Sequence, residues 1–119
     1  MKSVWIVEFL SDTVENEFLA IPKDIQARLV RISDLIESHG LENLGMPYVR
    51  HLQDKLWEIR AAGKSGIARA LYVAVVGRRV VILRVFVKKT NKTPPGEIAL
   101  ALSRMKEIDH GQENVGTKK

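Results

Sequence analysis

The sequence predicts an α+β fold, a mostly antiparallel sheet with helices packed on one face, in the order β-α-α-β-β-β-α. Three observations carry that reading. Ile25, Leu29, Ile32 and Ile36 recur at intervals of four, three and four residues, the spacing of one helical face. Leu56–Ala61, Ile67–Val76 and Val80–Lys88 are β-branched runs separated by Gly63-Lys64-Ser65-Gly66 and by Gly77-Arg78. The chain of 119 residues shows no repeat and no second domain, so one domain is expected over residues 1–109, with 110–119 a mobile tail.

Val4-Trp5-Ile6-Val7-Glu8-Phe9-Leu10 is short, aromatic and β-branched, as a buried opening strand requires. Asp12 followed by Glu15 has the form of a capping box and opens a short helix through Phe18. Pro22 suits the first turn of the second helix, where a missing N–H costs nothing. His39 lies in that helix's last turn, and Gly40 is its C-cap. Gly45 and Pro47 mark a loop, after which the three strands follow, the last two joined by a tight turn. Thr93 caps a final helix from Pro94-Pro95, with Ile98, Leu102 and Met105 on one face. Glu97 in its first turn complements the helix dipole.

Composition narrows the functional classes. There is no Cys, so disulfide and thiolate chemistry are excluded, in keeping with a reducing compartment. No apolar run reaches the ~20 residues of a membrane span, and Glu8 and Asp12 interrupt any signal-like start, so a cytoplasmic protein with no membrane partner is expected. The net charge of +5 is unevenly spread. Residues 1–49 hold four Lys/Arg against eight Asp/Glu, whereas residues 50–92 hold eleven against two, Asp54 and Glu58. Segregation of this kind suits an anionic partner, because the field follows local charge density. Surfaces built for solubility alone intersperse both signs.

Registering the last hairpin turns the count into a face. With Gly77 and Arg78 as the two central residues, Ala70, Tyr72 and Ala74 share an apolar side with Val85, Leu83 and Val81. The opposite side then carries Arg69, Leu71 and Val73 beside Phe86, Arg84 and Ile82, with Lys88 at the strand end. Alternation along Leu56–Ala61 adds Glu58 and Arg60 to that side and turns Trp57 and Ile59 inward. Guanidinium groups grip phosphate and an exposed ring stacks a base. Phe86 either does this or is a core residue under a loop; Glu58 is either a general base or an arginine's ion-pair partner. Lys89 and Lys92 follow before the last helix, while Lys55 and Lys64 sit in the turns flanking the first strand of the three. His39, His51 and His110 fall in separate segments without metal-ligand spacing, so no metal or other cofactor is expected. His51 is the one histidine placed near the basic strands. Neither G-x-S-x-G nor Walker spacing occurs.

Leu56-Trp57-Glu58-Ile59-Arg60, Ile67-Ala68-Arg69-Ala70-Leu71-Tyr72 and Phe86-Val87-Lys88-Lys89-Thr90-Asn91-Lys92-Thr93-Pro94 together resemble the HigB-type branch, often described as phage-derived, of the RelE/ParE toxin superfamily. The resemblance runs from the first strand to about Glu107. It implies a RelE-like fold and the toxin of a type II toxin–antitoxin pair: an mRNA interferase that cleaves translated mRNA on the ribosome. Attack of a ribose 2′-OH on the adjacent phosphate needs no metal if basic side chains stabilise the phosphorane-like transition state. Carried over by position, Arg60, Arg69, Lys88 and Lys89 are the expected catalytic residues, with Arg69 stabilising the transition state. Arg84, Phe86, Lys92, Lys55 and Lys64 are the expected RNA contacts. Relatives place a Tyr or His near the end of the sheet where this chain has Lys and Thr, which leaves acid and base unassigned. The implied partner is a cognate antitoxin, often a helix-turn-helix protein, in an oligomeric complex. Two alternatives share the same surface: a ParE-like toxin that inhibits DNA gyrase without nuclease chemistry, and a nucleic-acid-binding module without catalysis.

Overall fold

A computed structural model describes residues 5–45, 48–88 and 92–117, with backbone alone for residue 88 and for 109–117. The elements are β1 (Ile6–Phe9), α1 (Asp12–Leu19), α2 (Lys23–His39), a single 3-10 turn (Leu41–Asn43), β2 (Val49–Gln53), β3 (Leu56–Gly63), β4 (Gly66–Val75), β5 (Arg79–Lys88) and α3 (Pro95–Thr117). They build a five-stranded sheet in the order β1-β5-β4-β3-β2, antiparallel except for the β1–β5 pair. The α+β class with a mostly antiparallel sheet is thus the one expected, enlarged by β2.

The amphipathic stripe of α2 does what its spacing demands. Ile25, Leu29, Ile32 and Ile36 are all buried and form the main core with Val14 of α1 and with Val49, Ile59, Ala70, Tyr72, Ile82 and Val85 of the sheet. Burying such side chains stabilises by roughly 1.5–3 kcal/mol each. Gly40 ends α2 at φ +91°, a conformation that disfavours any residue with a Cβ. At the other end, Asp24 accepts the Ser65 N–H at 3.0 Å and so docks the β3–β4 turn on the start of α2. The Ser65 amide and hydroxyl together hold the Asp24 carboxyl below its usual range.

Several expectations are corrected. The helices do not share one face: Ile98, Ala101, Leu102, Met105 and Ile108 of α3 pack with Leu71, Val73, Val81 and Leu83 in a second core on the other side of the sheet. The hairpin loop has three residues, not two, because Val75 pairs with Arg79 and Val76 is 83% exposed. The register therefore starts one residue off and shifts where Leu71 pairs with Arg84 but Tyr72 with Ile82, which leaves Leu83 as a bulge. Beyond the bulge, at Ala70–Val85 and Arg69–Phe86, the expected pairs hold. Before it the faces of β5 are exchanged, so Ile82 joins the α2 core while Val81 and Leu83 join that of α3. The opening strand lies at the sheet edge with Ile6 exposed. The N-cap of α1 is Ser11, not Asp12, and it makes no side-chain cap bond. The backbone of α3 runs through to Thr117.

Candidate nucleic-acid interface

Alternation along the strands sets the basic residues in rows across the α3 side of the sheet. Arg50 of β2 pairs with Glu58 of β3, which pairs with Leu71 of β4, which pairs with Arg84 of β5. One step further, Arg60 pairs with Arg69, and Arg69 with Phe86. Glu58, Arg60, Arg69, Arg84 and Phe86 are therefore on one face, as the sequence predicts. Their chemical states are not alike.

Glu58 is 1% exposed and holds three donors. Arg69 Nη1 lies 2.5 Å from its Oε2, Arg50 Nη2 lies 3.2 Å from the same oxygen, and Thr93 Oγ1 donates to Oε1 at 2.6 Å. A carboxylate buried to this degree is tolerable only because it is saturated in this way. Of its two possible roles, the ion-pair partner is the one the geometry builds. Arg69 is itself 4% exposed, a buried structural cation, whereas the Arg50 side chain is 45% exposed and keeps part of its guanidinium in solvent. Arg60 is half-buried and, among the described residues, makes no side-chain hydrogen bond or ion pair.

Arg84 departs furthest from expectation. Its Nε and Nη2 donate to the two oxygens of Glu97 at 2.6 and 3.1 Å, and its Nη1 lies 3.1 Å from Glu17. Both carboxylates, Glu97 foremost, raise the guanidinium pKa against the opposing effect of burial. Glu17 also binds Arg104 and accepts the Val85 N–H at 3.2 Å, and Arg104 Nη1 donates to the Leu83 carbonyl at 2.7 Å. These bonds satisfy the edge of β5 beyond the reach of β1 and tie α1 and α3 to it. Burial of Glu17 opposes ionisation, but the Arg104 hydrogen bond, the Val85 amide and the two guanidinium charges outweigh it and hold the carboxyl low. Phe86 is buried in the second core with the Arg84 guanidinium 5.6 Å from its ring centroid, which is the core alternative and not an open stacking platform.

Lys64 is exposed in the β3–β4 turn, at the same end of the sheet as Arg60 and Phe86; Lys55 is exposed at the opposite end of β3, about 30 Å away at about 3.3 Å per residue. Lys92 is exposed next to Thr93, while the Lys88 side chain and Lys89 lie outside the described residues. His51 faces the other way: its ring meets Trp57 edge-on at 5.0 Å and its Nε2 lies 2.7 Å from the Asp54 carbonyl. Sequence reasoning passed over Arg50 and Thr93. Arg50 lies in a strand with no apolar alternation to reveal it, and Thr93 reads as a helix cap until its hydroxyl is seen on Glu58.

The family model described as "Phage derived protein Gp49-like" matches residues 16–106. No curated protein matches the chain. Among solved structures, a chain of the archaeal RelE–RelB complex from Pyrococcus horikoshii OT3 is similar in fold, with a TM-score of 0.52 at 19% identity over 71% of this chain and 94% of that one. The described residues include no helix long and apolar enough to cross a membrane.

Proposed function

The chain belongs to the Gp49-like family of phage-derived proteins, and from that premise we propose that it is the toxin of a type II toxin–antitoxin pair, a HigB-like endoribonuclease acting on translated mRNA. The observation that carries this reading is the unpaired Arg60 beside the Glu58–Arg69–Arg50 cluster, on the sheet of a RelE-like fold. Arg60 grips the scissile phosphate, and Arg50 contacts a neighbouring one through the solvent-facing part of its guanidinium. Arg69 contributes fixed positive charge from behind, where a low dielectric makes it count for more. The ribose 2′-oxygen attacks phosphorus and gives up its proton, the P–O5′ bond breaks, and the products are a 2′,3′-cyclic phosphate and a 5′-OH that takes up a proton. Lys64, Lys88, Lys89 and Lys92 extend the phosphate contacts. Arg84 and Phe86 belong to the packing of α3 in this scheme, not to RNA.

The archaeal RelE was crystallised with RelB; by analogy a cognate antitoxin, of helix-turn-helix type in the HigB branch, neutralises this chain in the cytoplasm within an oligomeric complex. Inducible expression with and without the adjacent open reading frame tests the proposal. Growth arrest relieved by the neighbour, with 5′-OH ends appearing in translated mRNA, is the expected result. Intact mRNA with accumulating DNA breaks would select gyrase inhibition instead, and unimpaired growth would reject both.

A further inference from the structure

Both tryptophans of the chain line one cavity on the α2 side of the sheet, away from Arg60 and unused by the proposed RNA chemistry. The cavity has a volume of about 350 Å³, and its walls include Trp5, Trp57, Tyr72, Leu41 and Leu44, with Glu42 contributing a carboxylate. Trp57 and Tyr72 stand directly opposite each other on β3 and β4. Trp57 is 38% exposed and open to solvent, whereas Tyr72 is buried. Burial pushes the Tyr72 phenol pKa well up, so its ring stays neutral at physiological pH.

The carboxylate is built into place from two sides. Trp5 Nε1 donates to Glu42 Oε1 at 3.1 Å. Gly40 leaves the space beside the carboxylate vacant, since a Cβ there would stand 3.0 Å from Oε2 and 3.1 Å from Cδ. One oxygen is thus anchored by the indole, and among the described residues the other has no hydrogen-bond donor.

Three aromatic rings and one fixed carboxylate define a ligand class by their electrostatics. Ring faces carry negative partial charge and attract a cation over them, most strongly over Trp. Leu41 and Leu44 add apolar wall that favours a cation with an apolar envelope over a hydrated metal ion. An anion would be repelled. We propose that this cavity binds an organic cation of the alkylammonium or alkylguanidinium class, either free or as the end of a side chain on a protein partner. The site does not depend on the RNA reading and stands or falls separately.

Because the chain has no tryptophan outside the cavity, its tryptophan fluorescence, excited beyond the tyrosine absorption band, reports on this site alone. The intact protein is titrated at constant ionic strength with tetramethylammonium chloride, with N-acetyl-arginine amide, and with neopentyl alcohol as an uncharged branched analogue. A saturable emission change with at least one cation is expected, with the neutral analogue about tenfold weaker, the discrimination a partly desolvated cation–π site gives. Preference for the ammonium marks a free cation and preference for the arginine derivative a partner's side chain. Glu42→Gln keeps an acceptor for Trp5 and removes only the charge, so cation binding should fall about tenfold while the far-UV spectrum is unchanged. Trp57→Leu should abolish it. No saturable change with either cation, equal binding of neopentyl alcohol, or a Glu42→Gln variant that binds like the parent would each overturn the proposal.

Discussion

Replacing Arg69 with alanine removes a guanidinium that lies 2.5 Å from Glu58 Oε2, and strands a carboxylate that is 1% exposed. What remains on Glu58 is the Thr93 hydroxyl and, at 3.2 Å, the half-exposed Arg50. Breaking a buried ion pair from one side costs about 3–5 kcal/mol when nothing compensates. Two remaining donors compensate in part, so the cost expected here is the low end, about 3 kcal/mol. Against a total of about 5–15 kcal/mol for a domain, that is a large share. At roughly 4 °C per kcal/mol for a chain of this size, Tm should fall by about 10 °C. Thermal melts and urea titrations followed by far-UV circular dichroism read both quantities. A double-mutant cycle with Glu58→Ala should return a coupling of at least about 1.5 kcal/mol. A variant melting within about 2 °C of the parent, with no coupling, would refute the structural assignment. It would return Arg69 to the role the family resemblance implies. If the loss of stability is found, loss of toxicity in Arg69→Ala no longer identifies a catalytic residue.

Arg60→Ala is the cleaner catalytic test: cleavage should fall by roughly a hundredfold or more, with Tm within about 3 °C of the parent, as read by primer extension on a translated message and by thermal melts. Glu17 is held below its ordinary value of 4.5, so the stability it contributes is present above that value and is lost as pH falls through the folded one. The stability gap between parent and Glu17→Gln should therefore be full above about pH 5 and close on acidification; a gap independent of pH would contradict it. Gly63→Ala places a Cβ 2.8 Å from Asp24 Oδ2 and must displace it from the Ser65 amide. A loss of about 1 kcal/mol in urea denaturation is expected, abolished in an Asp24→Ala background.

Legibility in the sequence followed the range of the interaction. The α2 stripe and the three central strands were readable because each is a local pattern with a hydrophobic period. The segment Val49-Arg50-His51-Leu52-Gln53 has no such period, since an edge strand buries little, and β2 went unseen. The bulge at Leu83 leaves no sequence signal, because either register puts apolar residues inward along Val80–Leu83. It nonetheless decides which side of the sheet Ile82, Val81 and Leu83 serve. The face bearing Arg60, Arg69 and Arg84 was found by alternation alone. That Glu17 and Glu97 would occupy Arg84 depended on α1 and α3 arriving at the same stretch of β5, contacts separated by 67 and 13 residues.

The fate of each arginine alters what the charge excess of residues 50–92 can do. Arg50 and Arg69 share Glu58, Arg79 holds Glu8, and Arg84 holds Glu17 and Glu97, so much of the excess is spent inside the fold. On the proposed reading, the cations left to meet RNA are Arg60, the exposed part of Arg50 and Lys64, together with Lys88, Lys89 and Lys92. Not all of these can reach one strand at once, and about five phosphate contacts is a reasonable bound. Each contact with single-stranded nucleic acid contributes about −0.7 to the slope of log K against log salt. Binding of a non-cleavable 2′-O-methyl oligonucleotide should therefore give a slope near −3.5, against about −8 if all eleven Lys/Arg of the segment took part. Arg84→Gln should leave that slope unchanged, because Arg84 is already neutralised from two sides. A slope near −8, or one that falls by about 0.7 in Arg84→Gln, would mean that the Glu17–Arg84–Glu97 cluster opens when RNA binds.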